Sequence, residues 1–100
     1  MADIWTDIYK HDGSRVGKMV NGYVLNHEGS KIGNVIEGHV LNHKDSQIGR
    51  VIEGRIFNHE GSLVGKVKDG YVYNHSGSRV GKVVGKNSDS AGAALLLLLS

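Results

Sequence analysis

The sequence predicts an all-β fold: a closed, up-and-down antiparallel barrel of about ten short strands with pseudo-fivefold symmetry and an apolar C-terminal helix in its bore. The first observation is that residues 8–87 are five consecutive blocks of sixteen residues, of which the second, VLNHEGSKIGNVIEGH, is typical. Each block also holds two β-branched runs separated by turn dipeptides, and residues 90–100 are rich in Ala and Leu. A short fixed period indicates units that bury their apolar faces only against one another.

The chain of 100 residues is predicted to form a single domain, residues 1–100. A polar linker is expected at residues 85–89, followed by the C-terminal apolar segment at residues 90–100. The predicted repeats are 8–23, 24–39, 40–55, 56–71 and 72–87.

Composition narrows the possible classes of function. The absence of cysteine excludes disulfides and thiolate metal sites, and 15 glycines without a proline suit a continuous antiparallel sheet. The net charge of +2 is spread over interleaved cations and carboxylates, so nucleic-acid binding is not expected. Because residues 1–7 show no basic region followed by an apolar stretch, we expect no secretory signal and a cytoplasmic location.

Turn dipeptides set the predicted register. Dipeptides such as Asn21-Gly22 and Glu28-Gly29 stand between β-branched runs, which favours two-residue hairpin loops and ten strands from about Trp5 to about Val84. The first kind of turn pairs Met19 with Val24. The second kind pairs Val24 with Gly33, Leu25 with Ile32, and His27 with Ser30.

This register separates two faces. The polar mid-strand row is predicted to face water: Lys18, Asn34, Arg50, Lys66 and Lys82. Three rows of small or β-branched residues are predicted to line the inside: Gly17, Gly33, Gly49, Gly65 and Gly81; Met19, Val35, Val51, Val67 and Val83; Ile8, Val24, Val40, Ile56 and Val72. A register slip of about two residues per repeat gives a shear of about ten, a radius near 9 Å and a bore of roughly 10 Å.

The apolar segment matches that bore. Five leucines, Leu95 to Leu99, follow Ala91-Gly92-Ala93-Ala94, with candidate helix N-caps at Ser88, Asp89 and Ser90. A helix that is apolar on every face is buried on every face, so we expect Leu95, Leu96, Leu97, Leu98 and Leu99 to plug the barrel. The alternative is that this tail contacts a membrane, although it falls far short of the roughly 20 residues that span a bilayer.

The repeated pattern resembles a known family. Blocks of the form hydrophobic-x-Asn-His-x-Gly-Ser-x-hydrophobic-Gly-x-Val, with an Ala/Leu-rich C-terminus, are similar to the β-flower proteins over roughly residues 5 to 100. These are small bacterial proteins in which hairpin petals surround an apolar centre, commonly described with fourfold repetition, whereas this chain has five repeats. The resemblance implies a closed pseudosymmetric sheet, and it implies no activity, cofactor or catalytic residue.

Histidine is the residue type that invites a chemical role, because one recurs in every block: His11, His27, His43, His59 and His75. Equivalent positions lie two strands apart, roughly 9 to 10 Å, which is too far for a shared metal ion. We therefore expect no metal, no cofactor and no catalytic residue, and we expect each imidazole to bond its serine or turn backbone. Metal binding by these histidines stays as a third hypothesis. His39 is predicted to be a surface position.

Two further rings flank the histidines. An outer apolar belt is predicted to lie cross-strand from Val16 and its equivalents, and it is a candidate partner or self-association surface. Its residues are Tyr9, Leu25, Leu41, Phe57 and Tyr73. An inward ring of Asn26, Asn42, Asn58 and Asn74, with Lys10 in the fifth place, is predicted to satisfy turn backbone groups.

Two functional hypotheses follow. The first is a non-enzymatic binding or scaffold module that presents its rim or belt to a protein, glycan or lipid partner. The second is a lipid-associated protein that inserts its leucine tail without a transmembrane span.

Overall fold

In the computed structural model, which describes residues 5–99, the chain is a closed barrel of ten antiparallel strands around a short helix. The expectations for residues 1–4, which concern a secretory signal, and for Ser100 lie outside the described residues. The predicted closed barrel is confirmed, since β1 pairs with both β2 and β10. The strands are β1 (Trp5–Lys10), β2 (Arg15–Val20), β3 (Tyr23–Asn26), β4 (Lys31–Ile36), β5 (His39–Asn42), β6 (Gln47–Ile52), β7 (Arg55–Asn58), β8 (Leu63–Lys68), β9 (Tyr71–Asn74) and β10 (Arg79–Gly85).

The turns at one end of the barrel are two-residue hairpin loops, as predicted. Asn21 and Gly22 have φ angles of 52° and 88°, and positive φ at both positions is the geometry that matches the twist of the flanking strands. Val20 pairs with Tyr23 and Met19 with Val24. We call this end of the barrel the tight-turn end.

The turns at the other end have a different length. The N–H of Gly29 donates to the carbonyl of Asn26 at 2.9 Å, and the N–H of Asn26 donates to the carbonyl of Ser30 at 3.0 Å. With Gly29 at φ 89°, this is a three-residue loop closed by a left-handed residue. The predicted two-residue loops and the pairing of His27 with Ser30 are therefore wrong.

A bulge restores the register that a three-residue loop disturbs. Leu25 pairs with Lys31 while Val24 pairs with Gly33, so Ile32 is the extra residue on β4. The predicted pairing of Val24 with Gly33 is confirmed, and that of Leu25 with Ile32 is wrong. The bulge residue packs against the core instead of facing outward, and so do its equivalents: Val16, Ile48, Val64 and Val80.

The inward rows form the core, as the alternation predicts. The buried strand residues include Ile8, Met19, Val24, Val35, Val40, Val51, Ile56, Val72 and Val83. Val67 is half-buried and packs against them. All five mid-strand glycines are buried. Side chains this small leave a bore that a helix fills.

Helix α1 (Ser88–Ala94) enters this bore from the tight-turn end. Its N-cap is Asn87, in a left-handed conformation without a side-chain cap bond, so the predicted caps at Ser88, Asp89 and Ser90 are wrong. The buried Thr6 hydroxyl donates to the carbonyl of Lys86 and ties the preceding linker to β1. The helix is narrow where the barrel encloses it: a Cβ at Gly92 would overlap a methyl group of Val67.

One π-helical turn, Leu95–Leu99, continues α1 towards the other end of the barrel. Each leucine lies against the glycine of a different repeat. A Cβ built on the glycine would lie 2.6 Å from Leu95 at Gly81, 2.5 Å from Leu96 at Gly65, 2.6 Å from Leu97 at Gly49, 2.9 Å from Leu98 at Gly33 and 3.2 Å from Leu99 at Gly17.

The helix type follows from this pairing of leucines with glycines. Successive side chains of an α-helix are rotated by about 100° about the helix axis. Five consecutive side chains therefore cover more than a full turn, and the first and the last point in similar directions. The i→i+5 hydrogen bonding of a π-helix lowers this rotation to roughly 80° per residue. That value is close to the roughly 72° between neighbouring repeats of a five-part ring. Five leucines in one π-turn therefore meet five repeats.

Candidate binding site at the mouth of the barrel

The end of the barrel opposite the tight turns opens onto the leucines, and we call this opening the mouth. One depression of about 290 Å³ is lined by Lys10, His11, Val80, Leu95, Leu96 and Leu99. A neighbouring depression of about 400 Å³ is lined by Lys10, Val16, Asn26, His27, Ile32, Leu98 and Leu99. Leu95 is buried, but Leu96 to Leu99 are only half-buried. The mouth thus has an accessible apolar floor.

The rim of the mouth is built from the three-residue turns, which the asparagines hold in shape. The Oδ1 of Asn26 accepts the N–H groups of Glu28 at 2.9 Å and Ser30 at 3.0 Å. Asn42, Asn58 and Asn74 repeat this arrangement, which confirms the predicted role of these residues. In the first hairpin Lys10 takes the place of asparagine, and Asp12 accepts the N–H of Ser14 instead.

The repeated histidines stand exposed on these turns. Within residues 5–99 the turn backbone is bonded by asparagine and aspartate side chains, so the bonding role predicted for the imidazoles belongs to their neighbours. His11 and His27 line the mouth, whereas His59 and His75 line grooves on the outside. His43 is exposed on the third turn. No group of three His, Cys, Asp or Glu within the described chain is arranged to hold a metal ion.

The predicted outer belt is interrupted by polar side chains. Tyr9, Leu25, Leu41, Phe57 and Tyr73 are half-buried. Their cross-strand partners are Arg15, Lys31, Gln47, Leu63 and Arg79, so the partners predicted for the belt are wrong. The physical cause is the bulge, which turns the β-branched residues towards the core. The Nζ atoms of Lys66 and Lys82 lie 5.9 Å and 5.6 Å from the ring centroids of Tyr73 and Tyr9.

The predicted surface position of His39 is confirmed, and its Nδ1 lies 2.6 Å from the Nε2 of Gln47. Sequence reasoning missed an exposed apolar group at the tight-turn end. Trp5 is 49% exposed, and Val84 and Ile36 are also exposed. The signal was available, since Val20, Ile36 and Ile52 each precede a turn dipeptide and alternate with the buried row.

Fold and site together define a class of protein: a pseudo-fivefold repeat barrel plugged by its own C-terminal helix and open at an apolar mouth. The chain belongs to the β-flower family, since the family model described as 5-fold beta-flower protein matches residues 2–98. The fivefold description agrees with the five sixteen-residue blocks and confirms the predicted pseudo-fivefold symmetry.

Searches of curated proteins and of solved structures returned no match. Within the described chain, neither helical segment has the length and apolarity that crossing a membrane requires.

Proposed function

We propose that the protein is a non-enzymatic binding module whose site is the mouth, where an apolar group of the ligand packs on the leucine floor. The observation that supports this proposal is the half-burial of Leu96, Leu98 and Leu99, which line two depressions. These side chains already contact the row of mid-strand glycines on one side. Covering their other side removes apolar surface from water, which stabilises a complex by roughly 25 cal/mol per Å².

The walls of the mouth support the same function. The bulge brings β-branched residues such as Val80 and Ile32 to the edge of the leucine floor. Backbone N–H groups that donate to the asparagine Oδ1 atoms fix most of the rim turns. The site is therefore largely pre-formed, and its depressions of about 290 and 400 Å³ lie near the lower limit of typical small-ligand pockets.

Insertion of the leucine tail into lipid is the competing function. The tail would have to leave the barrel, so that the row of five mid-strand glycines would line an empty bore and the buried residues Ala91, Ala93 and Ala94 would lose their packing against the strands. Because an unfilled bore forfeits all of these packing contacts, this movement is costly. Binding at the mouth keeps the plug in place.

Titration with decanol, followed by NMR of the leucine methyl groups, tests the proposal. We expect saturable shifts at the methyl groups of Leu96 to Leu99 and none at the outer-face Leu63. Val80→Thr keeps the side-chain shape but replaces a methyl group of the wall with a hydroxyl, and it is expected to weaken decanol binding about threefold to tenfold. The matched control is Val84→Thr, since Val84 is 53% exposed on the outside of the barrel.

Two results would overturn the proposal. One is the absence of shifts at the floor leucines up to the solubility limit of decanol. The other is co-sedimentation with phosphatidylcholine vesicles in the absence of decanol binding, which would favour the lipid-inserting tail.

A further inference from the structure

The barrel is symmetric in shape but not in charge. The fifth block, residues 72–87, carries three cations (Arg79, Lys82 and Lys86) and no carboxylate. The second block, residues 24–39, carries one cation and two carboxylates. The fifth block also borders the first hairpin, because β10 pairs with β1 to close the ring. One sector of the ring is therefore cationic.

A groove runs through this sector on the outside of β10, and we call it the seam groove. It has a volume of about 160 Å³ and is lined by Lys10, His11, Gly13, Tyr71, Arg79, Gly81 and Lys82. The symmetry-related groove beside β6 has Asn58 at the position of Lys10 and includes the carboxylate of Glu60. The seam groove thus gathers three permanent cations where its equivalent is mixed in charge.

The cations of the seam groove keep most of their charge available. Among residues 5–99, the one ion pair within 4.0 Å joins Arg15 and Asp7, outside this groove. The guanidinium of Arg79 lies 4.8 Å from the ring centroid of Tyr71, a contact that orients the group without neutralising it. On the first hairpin the N–H of Ser14 donates to the carboxylate of Asp12 at 2.9 Å and is the main cause of its lowered pKa, to which attraction by Lys10 adds, so Asp12 offsets part of the charge of Lys10 but does not line the groove.

The seam groove is continuous with the mouth. Lys10 and His11 line both the groove and the apolar depression that contains Val80, Leu95, Leu96 and Leu99. A single ligand can therefore place an apolar chain on the leucine floor and a charged head between Lys10, Arg79 and Lys82. Arginine and lysine in one groove suit a phosphate or sulfate, which accepts several charge-assisted hydrogen bonds.

We propose that the ligand of this protein is an anionic amphiphile, with its apolar chain in the mouth and its oxyanion head in the seam groove. This inference rests on the proposed function of the mouth and adds the chemical class of the ligand. It also selects one of the five equivalent sectors as the binding position.

Three probes separate the two parts of the site: decyl phosphate, decanol and inorganic phosphate, with the alkyl probes below their aggregation limits. We expect decyl phosphate to bind at least tenfold more tightly than decanol, with an affinity that declines as salt is added. Lys10→Asn should lower the affinity for decyl phosphate towards that for decanol. This variant is compatible with the fold, since asparagine occupies the same place in the other four hairpins.

Lys44→Asn is the matched control, because it removes the same charge from the tip of the third hairpin, outside the residues that line the seam groove. We expect it to leave the affinity for decyl phosphate within about twofold of the unmodified protein. An equal loss in Lys44→Asn and Lys10→Asn would overturn the seam groove in favour of attraction by net charge.

The remaining outcomes distinguish the two proposals. Equal binding of decanol and decyl phosphate, unaffected by Lys10→Asn, would overturn the head-group site and leave the mouth intact. Binding of decyl phosphate no tighter than that of inorganic phosphate, without binding of decanol, would overturn the mouth. Co-sedimentation with phosphatidic acid vesicles that Lys10→Asn abolishes would place the same head group in a lipid surface, whereas binding of the monomer alone would indicate a free ligand.

Discussion

The contacts between the leucines and the mid-strand glycines predict how much stability is lost when a glycine is replaced by alanine. Alanine at Gly65 would overlap the carbonyl oxygen of Tyr73 and bring its Cβ within 2.5 Å of the Cδ1 of Leu96. Alanine at Gly17 meets a similar backbone overlap, at Leu25, but its leucine contact is 3.2 Å. The two substitutions therefore share the backbone penalty and differ in the leucine penalty.

Overpacking of this kind costs typically 1–3 kcal/mol. We expect Gly17→Ala to lower the free energy of unfolding by about 2 kcal/mol and Gly65→Ala to lower it by about 3 kcal/mol. The extra cost should disappear when Leu96 is shortened, so Gly65→Ala and Leu96→Ala should be coupled by about 1 kcal/mol in a double-mutant cycle. Urea unfolding of the single and double variants measures each free energy.

Leu97→Ala is the control, because Leu97 lies against Gly49 and not against Gly65. Its effect should add to that of Gly65→Ala within about 0.5 kcal/mol. The reasoning is refuted if Gly17→Ala costs as much as Gly65→Ala, or if Leu97→Ala couples to Gly65→Ala as strongly as Leu96→Ala does.

Four further predictions concern the turns and the plug. Asn42→Ala removes the acceptor of two backbone N–H groups at 2.8 and 3.1 Å and should cost about 1–2 kcal/mol in urea unfolding, whereas Asn42→Asp should cost less. Asp45→Gly should stabilise the protein by about 1 kcal/mol in the same assay, because Asp45 has φ 65° where the equivalent turns have glycine. The pKa of Asp12 lies below its ordinary value of 3.8, chiefly because the carboxylate accepts the N–H of Ser14. The Asp12 carboxylate therefore stabilises the folded state at neutral pH, and this contribution is lost as the pH falls through the lowered pKa. NMR titration of Asp12 checks the direction of the shift, and a midpoint above 3.8 would contradict it. Removal of residues 88–100 should abolish the cooperative thermal transition seen by circular dichroism, and a truncated protein that still unfolds cooperatively would show that the plug is dispensable.

The inside of the barrel was predictable because two-residue periodicity constrains it strongly. Val24 had to face the same side as Gly33 if the apolar rows were to be buried, and the structure satisfies that requirement. The loops were not predictable by the same argument. A two-residue loop and a three-residue loop followed by a bulge at Ile32 give the same inner register, so the pattern of buried residues does not distinguish them.

At the candidate site, too, the sequence pattern determines some features and leaves others open. The identity of the plug followed from the apolar character of Leu95 to Leu99, but their π-helical turn depends on the spacing of the repeats, which only the assembled ring sets. The cationic sector was visible in the sequence as a fifth block without a carboxylate. The repeat pattern does not reveal it, because the pattern consists of the residues that the blocks share, whereas the proposed ligand contacts depend on residues in which the blocks differ.

Because β1 pairs with β10 around the plug, the barrel cannot close until nearly the whole chain is available. Residues 5–10 pair with residues 79–85, and the leucine floor that fills the ring comes later still in the chain. A hairpin made early on the ribosome has neither its neighbour across the seam nor the helix beneath it, so it is at most marginally stable. Folding should therefore begin only after residue 99 has left the ribosome, and it should be slow for a chain of this size because the decisive contacts are non-local. Between their release from the ribosome and the closure of the ring, the five leucines are the longest exposed apolar run of the chain, and they are the place where a chaperone would be expected to bind.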